Sequence, residues 1–328
     1  MDINDIARRA GVSRTTVSRY LNNGYVSKDK RRIIAQVIKE TGYVPSQNAQ
    51  QLRTGKSHLV GVIMPKLNSQ SVSRMVQGLT SELICHSYHA VLANTENNEM
   101  REVDFLRLFA MNSNVDGVVL IATVFTKEHL KALEALPSPV VILGQKLDGY
   151  ACVYPDDYAA MRDLCRLVLK KSKRPAYIGV KKTDIQTGIE RRRGFDTACV
   201  ELGLTVNEDA CPVVDFTADA GYFGAERILE VVPDVDTIVC ATDDIAFGAM
   251  MCMNEYGKRV PEDVQITGIG DSQLSQIARP SLTTAHLYYQ RSGIEAARLL
   301  VERMENPGKT NAVEVKMGYE VYGRMSMR

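Results

Sequence analysis

No run in the 328-residue sequence approaches the ~18 consecutive apolar residues of a membrane-spanning helix, so no membrane partner is expected. The opening segment MDINDIARRAGVS mixes acids with bases and has no apolar stretch. A secretory signal is therefore not expected there, and the expectation is a cytoplasmic protein. The seven cysteines are Cys85, Cys152, Cys165, Cys199, Cys211, Cys240 and Cys252, and they include no C-x-x-C pair. That removes zinc ribbons and thioredoxin-type motifs; most of these cysteines lie in apolar patterns, as small reduced core residues. The five histidines show neither H-x-x-x-H nor H-E-x-x-H, and no G-x-S-x-G occurs. The tetrapeptide TGKS at Thr54–Ser57 resembles the end of a phosphate-binding loop, but position 50 is Gln50 where that loop needs glycine, and no strand precedes it. GIGD near the C-terminus is too short for a dinucleotide fingerprint. No metal, no cofactor and no catalytic residue are expected, and the chain does not read as an enzyme.

What is present is an uneven distribution of charge. The formal net charge is +1, yet residues 1–56 hold 11 Lys and Arg against 4 Asp and Glu, while the rest hold 29 against 35. A basic head on a mildly acidic body points to an anionic partner for the head. The segment DINDIARRAG reads as a short helix, with Asp2 as its cap, Asp5 in the first turn and Ile3, Ile6 and Ala7 on one face. Gly11 suits the turn. Ser13 then caps a second helix, Arg14 to Leu21, with Val17, Tyr20 and Leu21 inward. Two short helices joined through A-G-V-S form a helix-turn-helix, whose second helix enters the DNA major groove. Arg14, Thr15 and Arg19 are then placed for base edges, because arginine donates in pairs to guanine and threonine can touch a thymine methyl. Ser13, Thr16, Ser18 and Asn22, with the helix N-terminal amides, suit phosphates. A third helix runs from Lys28 to Thr41, capped by Ser27, with Ile33, Ile34, Val37 and Ile38 as its core stripe and Gly42 as its stop.

INDIARRAGVSRTTVSRYLNN, followed by VSKDKRRIIAQVIKETGYVPSQNAQQLRTGKS, resembles the head of the lactose-repressor (LacI) family of transcription regulators. The resemblance implies that Arg14, Thr15 and Arg19 read bases. It also implies that Ser46 to Thr54 is a hinge helix whose Asn48, Ala49 and Leu52 meet the minor groove, with Leu52 as a wedge between base pairs. So short a helix is unstable alone in water and is expected to form only on DNA beside its partner hinge.

Beyond the head, apolar runs alternate with amphipathic stretches. Candidate strands cover 59–65, 89–94, 117–122, 140–144, 176–180, 212–216, 237–242, 264–270 and 282–287. Candidate helices include 72–87, 103–111, 157–171, 190–202, 218–231 and 245–256. Continuous apolar strands alternating with helices indicate parallel sheets covered on both faces. So many strands imply two α/β subdomains, dividing near Asp156–Tyr158 with a return near Leu287. Such sheets bind ligands beyond the carboxyl ends of their strands.

This body is similar to the effector core of the same family, which shares its fold with periplasmic sugar-binding proteins. The expected class is α/β: an N-terminal all-α helix-turn-helix head plus a two-subdomain, periplasmic-binding-protein-like core of parallel sheets (type I). The expected boundaries are 1–45 for the head, 46–57 for the hinge and 58–328 for the core. Within the core, 58–156 and 288–310 form the N-subdomain, and 157–287 and 311–328 the C-subdomain. The resemblance places Arg191 of ERRRGF, Thr242 and Asp243 of ATDDIAFGA, Asp271 of GIGDSQ and Phe216 of VDFTAD at the effector. The chain departs from the family in Ser69-Gln70-Ser71-Val72, where many members have N-P-F-F, and in Gly144-Gln145-Lys146, where many have a D-R pair. Ser69 and Val72 stay assigned to the pocket. In detail the chain resembles trehalose-operon repressors, whose effector is trehalose 6-phosphate; Lys66 and Lys146 would then meet the phosphate, as point charges without the arginine fork. Sucrose, sucrose 6-phosphate or another sugar is the alternative effector, and a sugar-binding protein without a DNA role is the alternative class. The expected partners are a pseudo-palindromic double-stranded DNA operator, a sugar or sugar phosphate and a second copy of the chain, since one head reads one half-site. The tail EVKMGYEVYGRMSMR alternates like a strand and has no heptads, so no coiled-coil tetramer is expected.

Overall fold

A computed structural model describes residues 1–22, 24–43, 56–111, 115–121, 124–306, 308 and 311–328. The expected hinge helix, with Asn48, Ala49 and Leu52, lies outside the described residues. The chain forms two units, Met1–Ser57 and His58–Arg328.

The first unit carries three helices among its described residues: α1 (Ile3–Arg9), α2 (Arg14–Leu21) and α3 (Lys28–Thr41). Asp2 caps α1, accepting from the amides of Asn4 and Asp5, and the Asp5 side chain accepts from the Asp2 amide in return. Gly11 and Gly42 both have φ of +61°, a value that L side chains rarely adopt; Gly42 ends α3. Ile6, Ala7, Ala10, Val17, Val26 and Ile34 form the core. Ile33, expected in that core, is exposed at 42%. Ile34, Val37 and Ile38 already fill the inward stripe at helical spacing. Ser27 occupies the cap position of α3 without a side-chain hydrogen bond to the helix.

The second unit contains strands β1 (Leu59–Met64), β2 (His89–Asn94), β3 (Gly117–Leu120), β4 (Val140–Leu143), β5 (Ala151–Pro155), β6 (Pro175–Ile178), β7 (Thr237–Cys240), β8 (Gln265–Ile269), β9 (Thr283–Leu287), β10 (Glu314–Met317) and β11 (Tyr319–Tyr322). Its α-helices are α4 (Gln70–Cys85), α5 (Glu99–Met111), α6 (Lys127–Glu134), α7 (Asp157–Val168), α8 (Arg191–Glu201), α9 (Ala218–Val231), α10 (Asp243–Glu255), α11 (Gln273–Ile277) and α12 (Tyr289–Glu305). One sheet has the order β10-β5-β4-β3-β1-β2 and the other β11-β9-β8-β7-β6. Among the described residues all strand pairings are parallel except β11 with β9. Strands such as Val140–Leu143 and Thr237–Cys240 are apolar or buried along their whole length because helices cover both faces.

The boundary expected at 310 lies elsewhere. Residues 314–317 pair with Cys152–Pro155 in the first sheet, so the last crossing falls at Gly318, between β10 and β11. The alternating tail therefore supplies an edge strand to each sheet. The expected strand at 212–216 reduces to one bridge, Gly179 to Val213. In the first lobe α12 packs on α4 so closely that a Cβ at Gly78 would lie 1.9 Å from the carbonyl oxygen of Gln290, and one at Gly293 would lie 1.9 Å from that of Met75. Only glycine permits that approach.

Candidate functional site

In the first unit, α2 presents the predicted recognition face. Ser13 accepts from the Thr16 amide at 3.2 Å, and the two hydroxyls lie 2.9 Å apart. Arg14, Thr15 and Arg19 are exposed, whereas Val17 is buried against α1 and α3. The amphipathic pattern thus turns both arginines outward, with Thr16 and Ser18 half-buried beside them. Asn22 closes the helix by donating to the Ser18 carbonyl. Arg31 lies over the Tyr20 ring at 5.4 Å and donates to the Gly24 carbonyl at 3.1 Å, tying α3 to the end of α2.

In the second unit, a cavity of about 390 Å³ opens where the carboxyl ends of the two sheets face each other. Lys66 follows β1, Ser69 and Val72 open α4, and Phe216, Thr242, Asp243 and Arg191 come from the second lobe. Arg191 is 4% exposed. Its Nε donates to Asp157 Oδ1 at 2.7 Å, Nη1 to the Ala241 carbonyl at 2.6 Å and Nη2 to the Tyr289 hydroxyl at 3.3 Å. Burial opposes the Arg191 charge, but Asp157 and Tyr289 hold its pKa above the ordinary arginine range. Burial pushes the Asp157 carboxyl up, against the pull of Arg191, and Asp157 Oδ2 has no hydrogen-bond partner among the described residues. A buried carboxylate oxygen on a cavity wall is an acceptor in need of a donor, and a ligand hydroxyl is one.

Asp243 is engaged by its own lobe through both oxygens: Oδ2 accepts from the Ser272 amide at 2.7 Å and Oδ1 from the Thr284 hydroxyl at 2.6 Å. Burial raises its pKa, against those hydrogen bonds. Thr242 caps α10, accepting from the Ile245 amide. The Lys66 ammonium lies 5.8 Å from the centroid of the Phe216 ring, so these two predicted residues meet across the cleft.

Two expected residues stand elsewhere. Lys146 does not line the cavity; its Nζ pairs with Glu314 at 3.0 Å and Asp148 at 3.3 Å, and Glu314 first, then Asp148, raise its pKa. β10, which carries Glu314, lies beside β5 and captures the ammonium there. Asp271 also lies off this cavity, paired with Arg324 at 2.5 Å and His286 at 3.0 Å. Its φ of +47° turns the side chain toward the β9 and C-terminal side. Sequence reasoning does not single out Asp157, Asp184, Asp244 or Arg74, all of which line the cavity. Asp184 caps a π-helical turn, Ile185–Glu190, accepting from the Thr187 amide; its pKa is raised by burial, as is that of Asp244 despite Lys66. The DD pairs at 156–157 and 243–244 are the available signal. Among the described residues no group of three or more His, Cys, Asp or Glu could hold a metal ion.

A capped helix-turn-helix with an outward basic face, in the same chain as a two-sheet core with a polar cleft, defines a ligand-responsive DNA-binding regulator of transcription. Residues 2–46 match the model of bacterial regulatory proteins of the lacI family, and residues 166–327 match the periplasmic binding protein-like domain. The chain is 31% identical over 306 residues to the sucrose operon repressor of Staphylococcus xylosus, covering 93% of this chain and 94% of that protein. It is 28% identical to catabolite control protein A of Priestia megaterium, covering 99% of each. A solved complex of the regulator CelR with cellobiose superposes with a TM-score of 0.77 at 27% identity, over 99% of each chain. A lac repressor dimer bound to operator shares the fold, with a TM-score of 0.88 at 20% identity over 99% of this chain and 98% of that one. The chain belongs to the lacI family of bacterial regulatory proteins.

Proposed function

We propose that the chain is a sequence-specific repressor of a sugar-utilisation operon, acting as a dimer, and that its effector is an uncharged sugar of about disaccharide size. The observation that carries the effector class is the charge of the cleft. Among the described residues three basic side chains line it, Lys66, Arg74 and Arg191, against four acids, Asp157, Asp184, Asp243 and Asp244. Arg191 is paired with Asp157, and Arg74 donates to two backbone carbonyls. Lys66 stands over Phe216, with its charge felt by Asp244. A phosphate dianion would enter a cleft with more acids than bases, whereas sugar hydroxyls can donate to those carboxylates while Phe216 covers an apolar ring face. The names of two relatives, a sucrose operon repressor and a cellobiose complex, support a disaccharide. Trehalose 6-phosphate is the second reading, and Lys66 favours it; Lys146, committed to Glu314, does not.

The effector would change the angle between the lobes, and through it the spacing of the two heads on their half-sites, releasing DNA. Arg14, Thr15 and Arg19 would read bases, and Asn48, Ala49 and Leu52 would meet the minor groove. The test is calorimetric titration with sucrose, cellobiose, trehalose and their phosphates. Binding of an unphosphorylated sugar, retained in Lys146→Ala and weakened in Lys66→Ala, is expected. Binding of a sugar phosphate alone, lost in Lys66→Ala, would replace this reading with the second.

A further inference from the structure

An arginine side chain bridges the two lobes at the edge of the cleft, beside the Gln273 amide, which donates to Gln70 Oε1 at 3.4 Å. Arg74, on α4 of the first lobe, donates from Nη1 to the carbonyl of Gly270 at 3.0 Å and from Nη2 to that of Asp271 at 2.7 Å. Both carbonyls belong to the segment after β8 in the second lobe. They face one guanidinium because both residues have positive φ, +142° at Gly270 and +47° at Asp271. Asp271 is held in that unusual conformation from three sides. Arg324 and His286 take its carboxylate, and its amide donates to the Thr284 hydroxyl at 3.3 Å. Asp and Asn tolerate this region better than other residues, but a carbonyl held there still requires such support. Arg74 lines the effector cleft and also a second cavity on the side of His286 and Arg291.

We propose that Arg74 is the latch through which occupancy of the cleft sets the angle between the lobes, a positioning residue for the allosteric response. A planar fork bonded to two adjacent carbonyls fixes orientation as well as distance, which a single ammonium contact does not. Arg74 lines the cleft, and a ligand oxygen that accepts from one of its remaining N–H groups would strengthen the closed arrangement. Without the latch the lobes spend more time apart, and ligand affinity falls by the fraction of time they are closed. The second lobe presents its two carbonyls ready-made, so the cost of ordering them is met within that lobe.

The consequence for sugar rests on the proposed function; the latch itself is tested without any ligand. Full-length Arg74→Met and Arg74→Lys are compared with wild type by amide hydrogen exchange over residues 270–273 in sugar-free buffer. The Met variant is expected to exchange on the order of tenfold faster there, with β8 and β9 unchanged and Lys intermediate. Exchange over 270–273 equal to wild type in the Met variant overturns the latch. Sucrose is then added to protein bound to an operator fragment. In wild type it is expected to weaken DNA binding on the order of tenfold, and in the Met variant by less than half that factor. A Met variant that keeps the full sucrose response also overturns the proposal. A wild type that ignores every sugar, with faster exchange in the Met variant, sinks the proposed function and leaves the latch standing. Should the Met variant fail to fold, the Lys variant carries the same two comparisons.

Discussion

Replacing Arg191 by methionine removes a buried cation and leaves its partners in place. Asp157 Oδ1 loses its donor at 2.7 Å, next to an Oδ2 that has none among the described residues, and the Ala241 carbonyl loses its donor at 2.6 Å. Breaking one side of a buried ion pair costs about 3–5 kcal/mol, because the surviving charge stays desolvated. For a unit of this size about 1 kcal/mol corresponds to roughly 2–4 °C, so the melting temperature of Arg191→Met should fall by roughly 6–20 °C at neutral pH. The double variant Arg191→Met/Asp157→Leu removes both charges and keeps the volume filled. It should recover to within about 2 kcal/mol of wild type, since a buried pair is often replaceable by apolar groups at little net cost. Its affinity for the effector should not recover, because the cleft has lost both a donor and the open Oδ2 acceptor. Differential scanning fluorimetry on the three proteins, with and without sugar, reads both quantities. An Arg191→Met protein melting within about 2 °C of wild type would refute the claim that this pair is buried and interdependent. A double variant that binds sugar normally would refute its role in the cleft.

Three further outcomes are expected. Arg14→Ala and Arg19→Ala should each weaken operator binding by about 1–3 kcal/mol and relax the base preference at one position, as read by fluorescence anisotropy on an operator panel; equal loss across all sequences would make them phosphate contacts instead. Gly78→Ala places a Cβ 1.9 Å from the Gln290 carbonyl oxygen and should force α4 and α12 apart, lowering stability by about 3 kcal/mol or more in a denaturant titration; an unchanged midpoint would show that the two helices do not pack so closely. Burial opposes ionisation of Asp271, but Arg324 and His286 hold its pKa below the usual 3.8. Its stabilising effect is therefore present above that value and is lost as pH falls through the lower folded value. Asp271→Asn, which tolerates the same φ, should melt lower than wild type at neutral pH and lose less on going from about pH 6 to about pH 3; parallel pH profiles would show that the charge contributes nothing.

The strands legible in the sequence are those buried on both faces, such as Leu59–Met64 and Gly117–Leu120, because burial demands an unbroken apolar run. Ala151–Pro155 escapes because Pro155 and the aspartates after it read as a break. The run 212–216 is over-read because an apolar stretch flanked by polar residues does not reveal whether a partner edge exists, and Val213 is 59% exposed. In the cleft, Arg191 and Phe216 carry a pattern with them. Arg74 carries none: on sequence it is one more arginine on a helix, and only the fold brings the carbonyls of Gly270 and Asp271 to it. Lys146 is misplaced for the opposite reason, since Glu314 is 168 positions away in the numbering and only the pairing of β10 with β5 brings it near.

The neighbouring strands on either side of Gly318 make the last residues of the chain a shared seam. Each lobe has an edge closed by a segment only a few residues from the one closing the other, so a protease cut just before Glu314 would unzip both at once. Damage at that single point would move one border of each sheet inward, from β10 to β5 and from β11 to β9, and expose two formerly internal strands to foreign backbone. The cover over those two internal strands therefore rests on a tail that lies outside the cleft between the lobes.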